Sequence, residues 1–219
     1  LRAVDRMMGE DRHAARKDKL PIAHIPKVLY HWRCYEGSTS ENPESKRYAY
    51  EAGRRAVEDF LKAREYQADV VHTCHLGFFR VNYQPDLLSN RPDVAVVGGK
   101  LIDRHNRVVG GIYNENREPL YLGLHKEYSG YMHRASCQQE AYAVDVRCMI
   151  CSGEAQTVWE ELTGLPYAVQ PHTGYFLYQD VLKKDADYEE LSFRFCEELR
   201  RRGKRIVWDP EMVQRVDGR

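Results

Sequence analysis

The sequence lacks a net charge, because its 33 lysine and arginine residues are matched by 33 aspartate and glutamate residues. Nucleic-acid binding draws much of its affinity from an excess of positive charge on the protein, so we expect no nucleic-acid partner. The sequence also lacks an apolar run near the ~18 residues that a membrane-spanning helix needs, and we expect no membrane span. Residues 1–10 contain no apolar stretch typical of a signal peptide, which predicts that none is present.

Cysteine is scarce and scattered, at positions Cys34, Cys74, Cys137, Cys148, Cys151 and Cys196. This low density argues against a disulfide scaffold and favours reduced thiols in a cytoplasmic protein. Cys148 and Cys151 form a Cys-x-x-Cys pattern, which suits zinc only when a second ligand pair lies near. His72, Cys74 and His75 contain the right atoms, but in a strand Cys74 faces away from both histidines. We therefore expect Cys148 and Cys151 to be structural thiols.

Residues 1–84 have the pattern of an α+β region. Asn42-Pro43-Glu44 is typical of a helix start, with a capping side chain, a proline in the first turn and an acidic residue beside it. Apolar residues then recur three or four apart as far as Tyr66, which predicts one amphipathic helix. Runs with the composition of strands are residues 25–33, 70–75 and 78–83.

Residues 85–219 have the pattern of an α/β region. Val94-Ala95-Val96-Val97 predicts a buried strand that ends at Gly98-Gly99. Further short strands are predicted at residues 107–109, 112–113, 143–151 and 205–208. Helices are predicted at residues 154–162, ending at Gly164, and 188–202, ending at Gly203.

Three patterns bear on chemistry. The chain has nine histidines, but no serine or cysteine stands in the sequence context of a nucleophile elbow. Gly98-Gly99 and Gly110-Gly111 are isolated doublets that predict turns, and neither belongs to a glycine-rich phosphate loop. An acidic cluster, Asp185, Asp187, Glu189 and Glu190, lies at the start of the last predicted helix. These carboxylates either stabilise the helix dipole or include a general base, and the sequence leaves both alternatives open.

The first part of the chain resembles a linker in bacterial family 2 glycosyltransferases with several domains. The run Ile25-Pro26-Lys27-Val28-Leu29-Tyr30-His31-Trp32-Arg33 looks like the segment that closes one transferase domain. Residues 38–83, including Arg80-Val81-Asn82-Tyr83, are similar to the helical linker and short strand that lead into the next domain. The resemblance implies that residues 1–84 are the tail of a preceding domain and this linker.

The second part resembles the C-terminal, acceptor-side half of the same family's GT-A-like domain. Val94-Ala95-Val96-Val97-Gly98-Gly99-Lys100-Leu101 looks like the strand and turn that follow the sugar-nucleotide half. Segments similar to the rest of that half, in the same order, are residues 130–134, 143–149, 159–164 and 204–210. The resemblance implies a partial GT-A-like mixed sheet with flanking helices over residues 85–219.

The resemblance also shows a missing region. In the family, the second domain opens with an apolar strand, a nucleotide-binding region and an Asp-x-Asp motif, which holds the Mn or Mg ion that bridges the sugar diphosphate. Here Tyr83 is followed almost at once by Pro85-Asp86-Leu87-Leu88, which is similar to the helix beyond that motif. The nucleotide-binding half is not represented, so we expect this chain to bind no cofactor by itself.

The family's general base lies on its late helix. Alignment with that helix puts Ser192 and Arg194 where carboxylates are expected. Glu189 and Glu190 lie about one helical turn earlier. A shifted register makes these two residues, together with Asp187, the catalytic candidates that the resemblance implies.

The resemblance implies transfer of a sugar from a nucleotide sugar to a glycan acceptor, as in bacterial polysaccharide biosynthesis. The acceptor-binding candidates are Tyr131, His133 and Asp145. Without the nucleotide-binding half we expect the isolated chain to be inactive, because positioning and charge neutralisation at the diphosphate supply much of the catalysis. The alternative is a non-catalytic module, derived from a glycosyltransferase, that binds a glycan or a protein.

The missing half has a consequence for the sheet. If the neighbours of the 94–97 strand belong to the nucleotide-binding half, that strand has a bare edge with unpaired backbone groups. We expect residues 70–83, the helix at residues 42–66 or a second copy of the chain to cover this edge. The sequence thus predicts either a rearranged sheet or a homodimer.

Overall fold

The computed structural model of the chain describes residues 25–31, 47–168 and 187–216. It divides into two compact units, Leu1–Asn90 and Arg91–Arg219, a few residues beyond the boundary predicted at 84/85. The elements of the first unit are α1 (Arg47–Ala63), β1 (Ala68–His72), β2 (Phe79–Tyr83) and α2 (Leu87–Asn90). Those of the second are β3 (Val94–Ile102), β4 (Val108–Gly110), β5 (Ile112–Tyr113), β6 (Gln139–Glu140), β7 (Ala143–Val144), β8 (Met149–Cys151), α3 (Gly153–Thr163), α4 (Tyr188–Arg201) and β9 (Arg205–Arg215).

The first unit is α+β, as predicted. Strands β1 and β2 form an antiparallel hairpin in which Val70 lies opposite Val81. Helix α1 packs on β1, and its one fully buried side chain is Leu61. Residues 25–31 contain no strand, so the extended element predicted there is not found in the part that the structure describes. The predicted helix start at Asn42 lies outside the described residues.

Strand β3 is the centre of the second unit, and all nine of its residues are buried. The prediction that this strand ends in a turn at Gly98-Gly99 is wrong, because the strand continues through both glycines to Ile102. A Cβ on Gly98 would overlap the side chain of Val144, and one on Gly99 would lie 2.5 Å from the Cys148 sulfur. The glycines thus serve close packing against the strand. The predicted break at Gly110-Gly111 is confirmed, since β4 and β5 are separated there.

The expectation of a bare edge on this strand is also wrong. Strand β9 pairs with β3 in parallel on one side, while β8 and β4 pair antiparallel with successive parts of β3. Strand β6 extends the sheet beyond β9. Every neighbour comes from later in the same unit, whereas β1 and β2 form a separate sheet. The reason for expecting a rearranged sheet or a dimer at this edge therefore falls away.

The strand predicted across residues 143–151 is divided in two. Strand β7 pairs with β5 and β8 pairs with β3, so the chain changes sheet between them. The Cys148 amide donates to the carbonyl of Asp145, which makes the turn. The local composition predicted extended backbone but contains no sign of this change of partner.

Helices α3 and α4 lie where the sequence predicts them. The Ser152 hydroxyl caps α3 by accepting from the Ala155 amide, and Gly164 closes it at φ 71°. Acidic residues occupy the first turn of α4 and arginines its last turn, which suits the helix dipole. In the core, Trp159 of α3 meets Phe195 of α4 edge to face, with ring centroids 5.7 Å apart.

The second unit is therefore a mixed α/β structure, with parallel and antiparallel strands and helices packed against the sheet. None of the helices in the described segments has the length and apolar character needed to cross a membrane.

Candidate functional site

A buried ion pair lies directly after β7. Asp145 is fully buried, and its carboxylate accepts from Arg147 Nε at 2.9 Å and Nη2 at 2.7 Å. The Arg147 amide donates to it at 3.0 Å and the Tyr113 hydroxyl at 3.1 Å. The structure thus places the predicted acceptor contact Asp145 inside the unit, with both carboxylate oxygens already bonded.

This cluster adjoins the start of α4. The Arg147 guanidinium lies over the Tyr188 ring, 5.0 Å from its centroid. Burial and then the charge of Asp145 raise the pKa of Tyr113 far above its ordinary value, and the charge of Glu189 contributes in the same direction. Tyr113 therefore stays a neutral hydrogen-bond donor.

The three predicted catalytic carboxylates have different surroundings. Asp187 caps α4, since its side chain accepts from the Glu190 amide at 3.0 Å. The Glu190 carboxylate is held by Arg117 Nη1 at 3.1 Å. Glu189 is exposed, and within the described segments its side chain makes no hydrogen bond or ion pair. Of the three, Glu189 is the one whose carboxylate has no hydrogen bond or ion pair within the described segments.

The other predicted residues, Tyr131 and His133, lie in a 3-10 segment (Tyr131–Ser136) with unusual backbone angles. Met132 (φ 50°, ψ 34°) and His133 (φ 57°, ψ 18°) are consecutive residues in the left-handed conformation, which residues other than glycine rarely adopt. His133 Nδ1 lies 2.9 Å from the Ser129 hydroxyl. Three large side chains here are exposed: Tyr128 by 60%, Tyr131 by 82% and Met132 by 58%. We call residues 126–135 the aromatic loop.

The candidate site thus has two parts. The hydrogen bonds of the Asp145 side chain all go to Tyr113 and Arg147 in the described residues, so none joins it to the aromatic loop. The Asp145–Arg147 pair adjoins the start of α4 through Tyr188, whereas no described hydrogen bond links Tyr131 to Asp145 or Glu189.

Sequence reasoning missed Arg147, Tyr113 and Lys100. Lys100 is only 4% exposed, although it is charged, because it lies in the fully buried strand β3. Two of them had a signal in the sequence that could have revealed them. Lys100 is a lysine inside an apolar run, and Arg147 is an arginine two residues after an aspartate in a strand-like segment. The partner Tyr113 had no signal, because its contact with Asp145 spans 32 positions.

Cys148, Cys151 and Cys196 are buried and are not disulfide-bonded. Burial raises the pKa of the Cys148 and Cys196 thiols to about 12 and that of Cys151 well above its usual value. Among the described residues no group of three metal-ligating side chains is found. The prediction that Cys148 and Cys151 are structural remains to be tested in solution.

We expect a thiol reagent at pH 8 to modify the exposed Cys74 rapidly and the three buried cysteines only after unfolding. The thiolate is the reacting form, and burial makes it both rare and inaccessible. Peptide mapping by mass spectrometry after timed labelling, with and without urea, measures this. Fast labelling of Cys148 in the native protein, or stoichiometric zinc lost in Cys148→Ser, would contradict the structural role.

Comparisons with known proteins give one relative. No family model matches the chain, and no solved structure matches it. Over 61 residues the chain is 41% identical to the uncharacterized protein y4gI of Sinorhizobium fredii. The matched stretch is 28% of this chain and 6% of that protein, so the chain spans only a small part of the relative's length.

Proposed function

We propose that the second unit is the acceptor-side half of a family 2-like glycosyltransferase domain with a GT-A-like sheet. Its reaction is transfer of a sugar from a nucleotide sugar to a glycan acceptor. The observation that carries the proposal is the exposed Glu189 side chain in the first turn of α4, the helix whose Tyr188 ring lies under Arg147 of the Asp145–Arg147 pair. A cytoplasmic location belongs to the proposal, which suits the free thiols of the described residues.

Glu189 is the general base in this proposal. A transfer of this kind needs a carboxylate that takes the proton of the acceptor hydroxyl as that oxygen attacks. Glu189 lies in the first turn of α4, at the positive end of the helix dipole. Asp187 caps the helix and Glu190 pairs with Arg117 at the surface, so both carboxylates already have partners, while Glu189 meets the acceptor.

Binding of an oligosaccharide tests this role. We expect saturable binding of at least one of maltotetraose, cellotetraose and chitotetraose by calorimetry. Glu189→Gln should weaken it about tenfold, the size expected for losing a hydrogen bond to a charged group. Glu190→Gln is the matched control, one residue away on the same turn, and should leave the affinity unchanged. Failure of the wild-type chain to bind any of the three, or equal effects of both variants, would contradict the proposal.

We expect the isolated chain to show no transferase activity with common nucleotide sugars in the presence of Mn²⁺ or Mg²⁺. Between Tyr83 and Val94 the structure has only α2 and a turn, which is too short for a nucleotide-binding half. Release of nucleoside diphosphate, measured against a blank without acceptor, checks this. Turnover above the blank that is abolished by a chelator would mean that the chain holds a complete active site.

The second candidate function is a non-catalytic glycan- or protein-binding module. The exposed tyrosines on the aromatic loop favour it, because they offer a contact surface for a ligand, and binding alone requires no general base. In such a module Glu189→Gln and Glu190→Gln bind equally well, whereas Tyr131→Ala loses affinity. The same calorimetric series therefore separates the two functions.

A further inference from the structure

We propose that Lys100 is a positioning residue that holds the aromatic loop in shape, so that Tyr128 and Tyr131 form a platform for the apolar face of a sugar ring. The proposal rests on the proposed function, since it names how the acceptor glycan is bound. It adds a residue on the central strand whose ammonium group bonds both ends of the loop.

Lys100 joins the two ends of the aromatic loop. Its Nζ donates to the Lys126 carbonyl at 2.7 Å and to the Ala135 carbonyl at 3.4 Å. On its third side the ammonium lies over the Trp208 ring, 5.8 Å from the centroid. One buried cation thus fastens both ends of a ten-residue loop to the most buried strand of the unit.

A buried ammonium is costly for folding. Lys100 forms no ion pair in the described residues, and burial lowers its pKa. Neutral carbonyls replace only part of the lost hydration, so an apolar side chain of similar volume is often at least as stable at such a position. What an apolar side chain cannot do is bond both carbonyls. The lysine therefore matters for the arrangement of the loop more than for the stability of the unit.

The loop needs such a restraint. Met132 and His133 both have positive φ, and backbone of this kind in residues other than glycine persists only where surrounding contacts impose it. Within the loop the Ala135 amide donates to the Ser129 carbonyl at 2.8 Å, which holds these two parts of the loop together. Lys100 adds two hydrogen bonds to this loop from a buried side chain of the sheet.

The exposed side chains suit a sugar better than a protein. Tyr128, Tyr131 and Met132 together expose on the order of 400 Å², from their exposed fractions and the usual area of such side chains. A stable protein interface needs about 800 Å² from each partner. The exposed area matches one or two sugar rings, and tyrosine combines an apolar face with a hydroxyl that bonds sugar hydroxyls.

Chymotrypsin measures the order of the loop, because it cleaves after Tyr128 and Tyr131. We expect Lys100→Met to speed cleavage at these two sites about tenfold or more, while the urea midpoint of unfolding stays equal or rises. Lys126→Met is the control, since it removes a lysine from the same loop but leaves the carbonyl contact in place. Unchanged cleavage in Lys100→Met, or faster cleavage that only follows a lower midpoint, would overturn the role of Lys100.

Binding of maltotetraose, cellotetraose and chitotetraose supplies the second readout. We expect Lys100→Met and Tyr131→Ala each to weaken saccharide binding about tenfold, and only Lys100→Met to expose the loop to protease. If the wild type binds no saccharide, the sugar platform and the proposed function both fall. If Lys100→Met alone behaves as wild type, only the role of Lys100 falls. Self-association of the chain that is lost in Tyr131→Ala would assign the loop to a contact between copies and overturn the sugar platform.

Discussion

Gly111→Ala is expected to lower the free energy of unfolding of the second unit by about 4 kcal/mol, and Gly98→Ala by about 3 kcal/mol. Gly111 has φ +115°, where an alanine is strained, and its Cβ would overlap the Gly99 carbonyl oxygen. Gly98 lies in the middle of β3, where a Cβ would overlap the Val144 side chain. The overlapping atom is a backbone oxygen at Gly111 and the Cβ of Val144 at Gly98. Neither atom can move without moving the backbone, so the structure can relax little around the added methyl group.

Two other glycines serve as controls in urea denaturation. Gly153 begins α3 with open space around it, and alanine there should change stability little or raise it by about 0.5 kcal/mol. Gly123 has φ +76° and open space, so Gly123→Ala isolates the backbone cost at about 1 kcal/mol. A Gly98→Ala variant as stable as Gly153→Ala would show that β7 does not pack on β3 as described.

Arg147→Met is expected to lower the free energy of unfolding by about 3 kcal/mol, because it leaves the fully buried Asp145 carboxylate without its cation. The double variant Asp145→Asn with Arg147→Met should regain most of this loss, since an amide is less costly to bury than a charge. Arg201→Ala, which breaks an exposed pair with Glu198, should have no measurable effect.

Equal stability of Arg147→Met and the wild type in urea would contradict this account of the pair. A double variant no more stable than Arg147→Met would instead show that the loss comes from the packing of Arg147 on Tyr188. The two results assign the effect to charge or to packing.

Local sequence signals predicted several elements of the fold well. The helices predicted at residues 154–162 and 188–202, with Gly164 and Gly203 at their ends, rest on residues a few positions apart, and the structure has helices there. Pairing of β3 with β9 was not predicted, because Val97 and Val207 are far apart in the chain. Such pairing depends on which surfaces fit together, and no short pattern records it.

The glycine doublets show the same limit. Gly110-Gly111 and Gly98-Gly99 look alike in the sequence, yet one separates two strands and the other lies inside a strand. The difference comes from Val144 and Cys148, which pack on Gly98-Gly99 although they lie some 50 positions later in the chain.

In the candidate site, the sequence predicted the residue types better than their roles. Asp187 was predicted at the start of a helix. Its side chain accepts from the Glu190 amide, which fits helix stabilisation, one of the two alternatives for the acidic cluster. Asp145 was expected at the acceptor, but its partners Arg147 and Tyr113 take up its carboxylate. Which carboxylate is open depends on neighbours such as Arg117, which reaches Glu190 across 73 positions.

The most direct test of the central claim is an NMR titration of the wild-type chain with a tetrasaccharide and, separately, with UDP-glucose and Mg²⁺. The claim is that this chain holds the acceptor side of a transferase and lacks the nucleotide side. It predicts saturable shift changes at Tyr131, the Met132 methyl group and the amide of Glu189 with one of maltotetraose, cellotetraose and chitotetraose, and none with UDP-glucose. Saturable changes with UDP-glucose, or no response to any of the three saccharides, would contradict it.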